Sequence, residues 1–165
     1  MSKEKYKKIV YLTLIIVWMI TVFMFSNQNG EQSQKTSNFV TEILVQLLTR
    51  KQNITESEKF TLIENTDFIV RKLAHYSIYL LGGILIYKYI NTFDLSANKK
   101  NIISIMIGGL YAAFDEFHQY FVADRSAQIL DVCIDSLGII TGVILISLIK
   151  KWGEVYYECK GCRND

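Results

Sequence analysis

Four apolar blocks, each close to the length of a bilayer crossing, constrain this chain more than anything else in it: about Ile9–Phe25, Phe68–Ile90, Ile102–Phe121 and Ile129–Ile149. Hydrocarbon offers backbone groups no hydrogen-bond partner, so only helices or closed barrels cross it. A spanning helix needs about 20 largely apolar residues, and these blocks come close to that length in a chain without a single proline. The expected fold is an all-α polytopic membrane protein with four transmembrane helices and an amphipathic helical segment between the first and second. Half of the 165 residues are apolar, and it is their grouping into blocks that separates the chain from one soluble domain of equal length.

The first block follows the basic stretch MSKEKYKK and is interrupted only by Thr13 and Thr21. No small-x-small cleavage pattern comes after it, so it reads as an uncleaved first span and not as a signal peptide. Residues 26–67 are more polar. Within them Phe39, Val40, Ile43, Leu44, Leu47 and Leu48 recur at helical spacing, with Thr41, Glu42, Gln46 and Thr49 between. Thr55 and Glu58 have capping-box spacing, which opens a second, short helix. Two placements of the amphipathic helix fit equally: packed against the bundle, or lying in the outer membrane interface as a lid or lipid-contacting element.

A net charge of +2 is too small to point to nucleic acid, and the lysines report on topology instead. Lys3, Lys5, Lys7 and Lys8, then Lys88, Lys99 and Lys100, then Lys150 and Lys151 all fall on one side of a four-span chain. That side is the cytoplasm, so both termini and the tail 151–165 are expected inside. Arg71, Lys72 and Arg125 fall opposite, which gives them local work. Cys133 sits in the last block, while Cys159 and Cys162 form a lone CKGC, half a zinc site at best and more simply a reduced pair.

The ionisable residues inside the blocks are the anomaly, because each costs roughly 2.5–3.5 kcal/mol at mid-bilayer on insertion scales. They lie on helical stripes that end in small residues. Span two carries Lys72, His75 and Tyr76, Tyr79, Gly82 and Gly83; span three carries Gly108, Ala112, Asp115 and Glu116, Gln119; span four carries Gln128, Asp131, Asp135, Gly138, Gly142. Four-span topology turns all three polar ends to the extracytoplasmic half, with His75, Asp115 and Asp135 on the order of 10 Å below the outer helix ends. The glycines would let the backbones approach closely beneath them.

The candidate site is therefore Lys72, His75, Asp115, Glu116, Gln119, Arg125, Asp131 and Asp135. Asp115, Glu116, Asp131, Asp135 and His75 offer the oxygen and imidazole ligands that suit a divalent metal such as Mg, Mn or Zn, though no compact motif selects one. His75 or a carboxylate could act as general acid or base. Lys72 with Arg125 could hold a phosphate or carboxylate. The competing reading is a satisfied interhelical network that only specifies packing. His118, two residues from Glu116 and off the best stripe, is the weakest member. The chain has no Walker A loop, GxSxG elbow or zincin helix, and the almost wholly apolar inner halves of spans two to four count against a transport path.

RKLAHYSIYLLGG followed by DEFHQYFVADRSAQILDVCIDSLGIITG resembles the VanZ-like family of small bacterial membrane proteins, whose namesake is linked to teicoplanin resistance. Lys72 and His75, then Asp115, Glu116 and Gln119, then Arg125, Asp131 and Gly138 match the family pattern, and FSNQ followed by Ser33 is similar to its usual exit from the first helix. The resemblance covers residues 1–150. Two positions depart: Ala123, Asp124 and Arg125 stand where Pro-Gly-Arg is common, and Asp135 stands where Asn is frequent. The resemblance implies a multi-pass protein of the bacterial cell membrane. Its partner would be a membrane lipid or a lipid-linked envelope precursor, and it would act in glycopeptide resistance. Whether it is an enzyme or a non-catalytic protein that binds or shields lipid or antibiotic is left open by the family and by the residues alike.

Overall fold

The computed structural model describes residues 2–28, 30–49, 55–123 and 128–161. Among them the chain forms five helices and no strand: α1 (Lys3–Ser26), α2 (Gly30–Thr49), α3 (Glu56–Ile90), α4 (Ala97–Gln119) and α5 (Ile129–Gly161). Three helical segments, Lys3–Ser26, Phe60–Ile90 and Ile129–Gly153, are long and apolar enough to cross a membrane. This is the build of a membrane protein. α4 is not among them, because Asn101 at one end and Asp115, Glu116 and His118 at the other dilute its apolar middle.

Thr55 caps α3 with both halves of a capping box: its hydroxyl accepts from the Glu58 backbone, and the Glu58 carboxylate accepts from the Thr55 N–H at 2.8 Å. The helix so opened is not the short one expected. It runs 35 residues without a break, about 52 Å at the usual rise. No glycine or proline interrupts it before Gly82, and Asp67 and Arg71, one turn apart, bridge the expected junction at 3.3 Å. Likewise α5 continues past Ile149 through the residues expected as a separate tail, as far as Gly161. α4 ends at Gln119, so Asp115 lies one turn from its end.

α3 is the hub, packed against α1, α2, α4 and α5, and its contact with α5 is the most extensive in the protein. The glycines explain that contact. At Gly138 and Gly142 a methyl group would run into the backbone carbonyls of Tyr76 and Leu80, and Gly83 abuts the Ile139 backbone in return. Trp18, Val22, Tyr79, Ile86, Ile139 and Val143 fill the centre. Large apolar side chains such as Ile16, Ile20, Met106, Leu110, Leu137 and Leu148 point outward. A water-soluble protein would rarely carry so much contiguous apolar surface; lipid accommodates it.

α2 packs on α3 through a stripe of four-residue steps, Ser37, Thr41 and Val45, all buried. Its apolar side chains do the opposite: Phe39, Val40, Ile43, Leu44 and Leu47 are exposed. The helix thus joins the bundle by its small and polar face and offers its apolar face outward. Of the two placements foreseen for it, packing against the bundle is the one observed.

Candidate functional site

The site begins on α1, in the stripe Trp18, Val22, Ser26. Trp18 lies against Gly82, where any side chain would collide with the indole, and its Nε1 donates to the Ile78 carbonyl at 2.9 Å. Its ring meets Tyr79 edge-on, centroids 5.8 Å apart. The Tyr111 hydroxyl on α4 closes the layer by donating to the Met19 carbonyl at 2.8 Å. This aromatic layer fixes α1, α3 and α4 just below the polar residues.

Above it, three donors converge on one oxygen. Asp115 Oδ2 accepts from Ser26 Oγ at 2.8 Å, Tyr79 OH at 3.0 Å and Gln119 Nε2 at 3.1 Å. Gln119 Nε2 also donates to Ser26 Oγ at 3.3 Å. Asp115 is only 2% exposed, so its carboxylate draws α1, α3 and α4 together where solvent does not compete. Charge-assisted bonds of this kind are the strong ones.

α5 packs against both α3 and α4 and adds two more acids. Lys72 donates to Asp131, with both side chains mostly buried. His75 Nδ1 lies 3.4 Å from the fully buried Asp135 Oδ1, and among the described residues neither Asp135 oxygen accepts a well-aligned hydrogen bond. Glu116 Oε1 accepts from the Gln128 backbone N–H at 2.6 Å, tying the start of α5 to the end of α4.

A cleft of about 300 Å³ opens between α1, α2 and α3 beside this network. Val22, Phe25, Val40, Val70 and Ile78 give it mainly apolar walls; Ser26, Tyr79 and Asp115 line it as well, with Arg71 and His75 from α3. Arg71 is anchored by Asp67, whose other oxygen faces the Thr41 hydroxyl of α2 at 3.5 Å. The arrangement suits an amphiphile: an apolar portion against the walls, and a polar end among a carboxylate, an imidazole and a guanidinium.

Seven of the eight expected site residues thus lie in one polar region, Gln119 with Asp115, Lys72 with Asp131, His75 beside Asp135 and Glu116 on the Gln128 backbone; Arg125, like Asp124, lies outside the described residues. The five candidate metal ligands do not assemble. Asp115 is held by hydroxyl and amide donors, Asp131 by Lys72 and Asp135 by His75, and among the described residues no three His, Cys, Asp or Glu side chains form a group able to hold a metal ion. His118 stacks on Phe23, centroids 4.8 Å apart, away from the network. Cys133 is exposed and unbridged, and Cys162 lies outside the described residues.

The sequence reading missed Ser26 and Asp67 as members of the site. Ser26 had a signal in the stripe Trp18, Val22, Ser26, which looked like plain apolar span. Asp67 had one in its four-residue offset from Arg71.

A family model described as VanZ/LLP1 matches residues 11–150. No curated protein and no solved structure matches the chain.

Proposed function

Because the chain belongs to the VanZ/LLP1 family, we propose that it is a cell-envelope membrane protein whose outer-leaflet cleft receives a lipid-linked or cell-wall-related ligand, and that it lowers susceptibility to glycopeptides such as teicoplanin. The observation that carries this reading is the cleft itself: apolar walls, lateral opening between α1, α2 and α3, and the Asp115 carboxylate, His75 and Arg71 among its lining. An acyl or prenyl chain fits the first part and a hydrogen-bonding headgroup the second.

The topology behind it has four crossings, with α4 as the fourth. Its 23 residues give about 34 Å at the helical rise, enough for a hydrocarbon core of about 30 Å. Its polar end is sheltered, since Asp115, Glu116 and Gln119 are buried against the other helices while Met106, Leu110 and Phe114 face outward. Lysines gather at the end opposite Asp115, which under the positive-inside rule is cytoplasmic and holds both termini. The aromatic rings Phe117, Tyr120 and Phe121, all exposed at the other end of α4, suit the outer interface.

Binding is the primary role. Asp115 and Asp131 are already engaged by donors and serve best as fixed acceptors. A chemical role would fall to His75, which faces the cleft with Asp135 behind its Nδ1, the arrangement that orients an imidazole for proton transfer.

The test is the teicoplanin inhibitory concentration of a susceptible bacterial host expressing the protein. Wild type raises it; Ala74→Trp, a bulky change at a residue that lines the cleft and makes none of the network's hydrogen bonds, abolishes the rise at equal expression. His75→Gln separates the two roles: a binding protein keeps part of the effect, a catalyst loses all of it. An unchanged inhibitory concentration with wild type would refute the resistance reading.

A further inference from the structure

Two stripes of α3 line the Asp115 cleft at four-residue steps, Val70, Ala74 and Ile78 beside Arg71, His75 and Tyr79. One is apolar and the other polar, and both run along the helix axis. A ligand lying parallel to α3 therefore meets hydrocarbon on one side and hydrogen-bonding groups on the other. Tyr79 marks the inner end, where its hydroxyl donates to Asp115 at 3.0 Å. Arg71 stands eight residues nearer the start of the helix, about 12 Å along its axis. Its side chain leans further that way, because Nε is held 3.3 Å from Asp67 Oδ2, one turn earlier.

Asp67 is a fixed anchor. It is only 4% exposed, and its Oδ1 faces the Thr41 hydroxyl of α2 at 3.5 Å. It engages the Nε edge of the guanidinium, and among the described residues the two terminal nitrogens of Arg71 make no hydrogen bond. The neighbouring cation differs: Lys72 is taken by Asp131 and does not line the cleft. What Arg71 offers is an oriented fork of N–H donors, not a surplus of charge. Asp67 offsets its charge, and Asp115 keeps its own at the inner end, under three donors. A guanidinium held by one edge takes an oxyanion through two parallel bonds, and its weak hydration suits an apolar-walled cleft better than an ammonium would.

We propose that Arg71 binds the phosphate of a lipid whose chain runs inward along Val70, Ala74 and Ile78, so that the ligand of the Asp115 cleft is a phosphate-bearing lipid. This rests on the reading of the cleft as an envelope-lipid site and adds the identity of the headgroup and the residue that selects it. Depth favours phosphate. The guanidinium lies at the polar end of the spanning part of α3, beyond the hydrocarbon-facing stripe, and that is the level of the group joining head to chain in an outer-leaflet lipid. A carboxylate and a free phosphate share the fork's geometry, so the experiment separates all three.

The experiment is native mass spectrometry of the full-length protein in mild detergent, titrated with two pairs of lipids that differ only at the head. The pairs are phosphatidic acid with diacylglycerol of the same chains, and a polyprenyl phosphate with the polyprenol of the same length. In at least one pair the phosphate-bearing member is expected to bind about tenfold more tightly, the effect of one charge-assisted hydrogen-bonding group. Arg71→Gln removes that preference, and Arg71→Lys, which keeps the charge without the paired donors, retains part of it. Ala74→Trp weakens both members of the pair, while Lys99→Gln, exposed and outside the lining, changes neither. The comparison within each pair is made on the wild-type protein, so it stands whether or not a variant folds. Displacement of the lipid by millimolar inorganic phosphate supports phosphate as the recognised group; inorganic phosphate bound where no lipid binds overturns the lipid source. A fatty acid bound as tightly as phosphatidic acid overturns the choice of phosphate over carboxylate. Equal binding within both pairs, or a preference that survives Arg71→Gln, overturns the inference and leaves the lipid reading standing. Binding of no lipid at all overturns both.

Discussion

Replacing Asp115 by alanine tests how far one carboxylate holds the polar ends of three helices together. The substitution leaves Ser26 Oγ, Tyr79 OH and Gln119 Nε2 without their shared acceptor. Two scales compete for the magnitude. A buried donor stranded in a water-soluble protein costs about 1–3 kcal/mol, whereas interhelical hydrogen bonds within membranes average about 0.6 kcal/mol with a ceiling near 1.7. The membrane scale applies, because the unfolded chain in a membrane also finds partners there. Gln119 and Ser26 keep their mutual bond as well. Asp115→Ala should therefore lower stability by about 2 kcal/mol and by no more than about 5. Asp115→Asn keeps an acceptor oxygen in place and should lose less than half as much. The assay is reversible unfolding in mixed micelles of mild detergent and dodecyl sulfate, followed by helical circular dichroism. Equal stability of Asp115→Ala and wild type, or a larger loss for asparagine than for alanine, would refute the claim that the triple bond is a structural tie.

Two glycines in neighbouring helices should respond in opposite directions. Gly142→Ala meets the Leu80 carbonyl and should cost about 1–3 kcal/mol in the same assay, as overpacking does, while Gly109→Ala meets nothing within 4 Å and should be neutral or stabilise by up to about 1 kcal/mol. Lys72→Met and Asp131→Leu should each destabilise, and the double variant should recover part of the loss, with a coupling of about 1–2 kcal/mol in the cycle. At the start of α3, outside the spanning segment, the Thr55 backbone N–H and then its hydroxyl hold the Glu58 carboxyl below its ordinary value. The ionised carboxylate therefore stabilises the cap above the unfolded-state value, and that contribution is lost as pH falls through the lowered one. Amide exchange in the first turn of α3 should speed up across that acidic window, and Thr55→Ala, which removes the hydroxyl and keeps the backbone N–H, should reduce the pH dependence without abolishing it.

The helical class and the membrane character were legible in block lengths and stripes, and the family in the motifs that resemble its pattern. In an apolar segment a polar stripe has few explanations, and those in α4 and α5 are buried much as their spacing indicates. Two kinds of feature were not legible. The continuity of α3 through Asp67 escaped because polar residues there resemble a loop, although they lie on a helix that packs against α2 through Thr41 and Asp67. The membership of Ser26 escaped because a lone serine at the end of an apolar run carries no charge to mark it. The division of the acids into separate pairings was beyond one-dimensional reading as well. Spacing shows that His75, Asp115 and Asp135 share a level, but not that Tyr79 takes Asp115 while His75, one turn away on the same stripe of α3, takes Asp135.

The central claim is that the cleft beside Asp115 holds an amphiphile of the envelope, and the lipid adducts carried by the purified protein test it most directly. Native mass spectrometry of protein extracted from bacterial membranes should then show an adduct of lipid mass, which Ala74→Trp removes and Asp115→Asn reduces. The same adducts at the same occupancy in all three proteins would contradict the account.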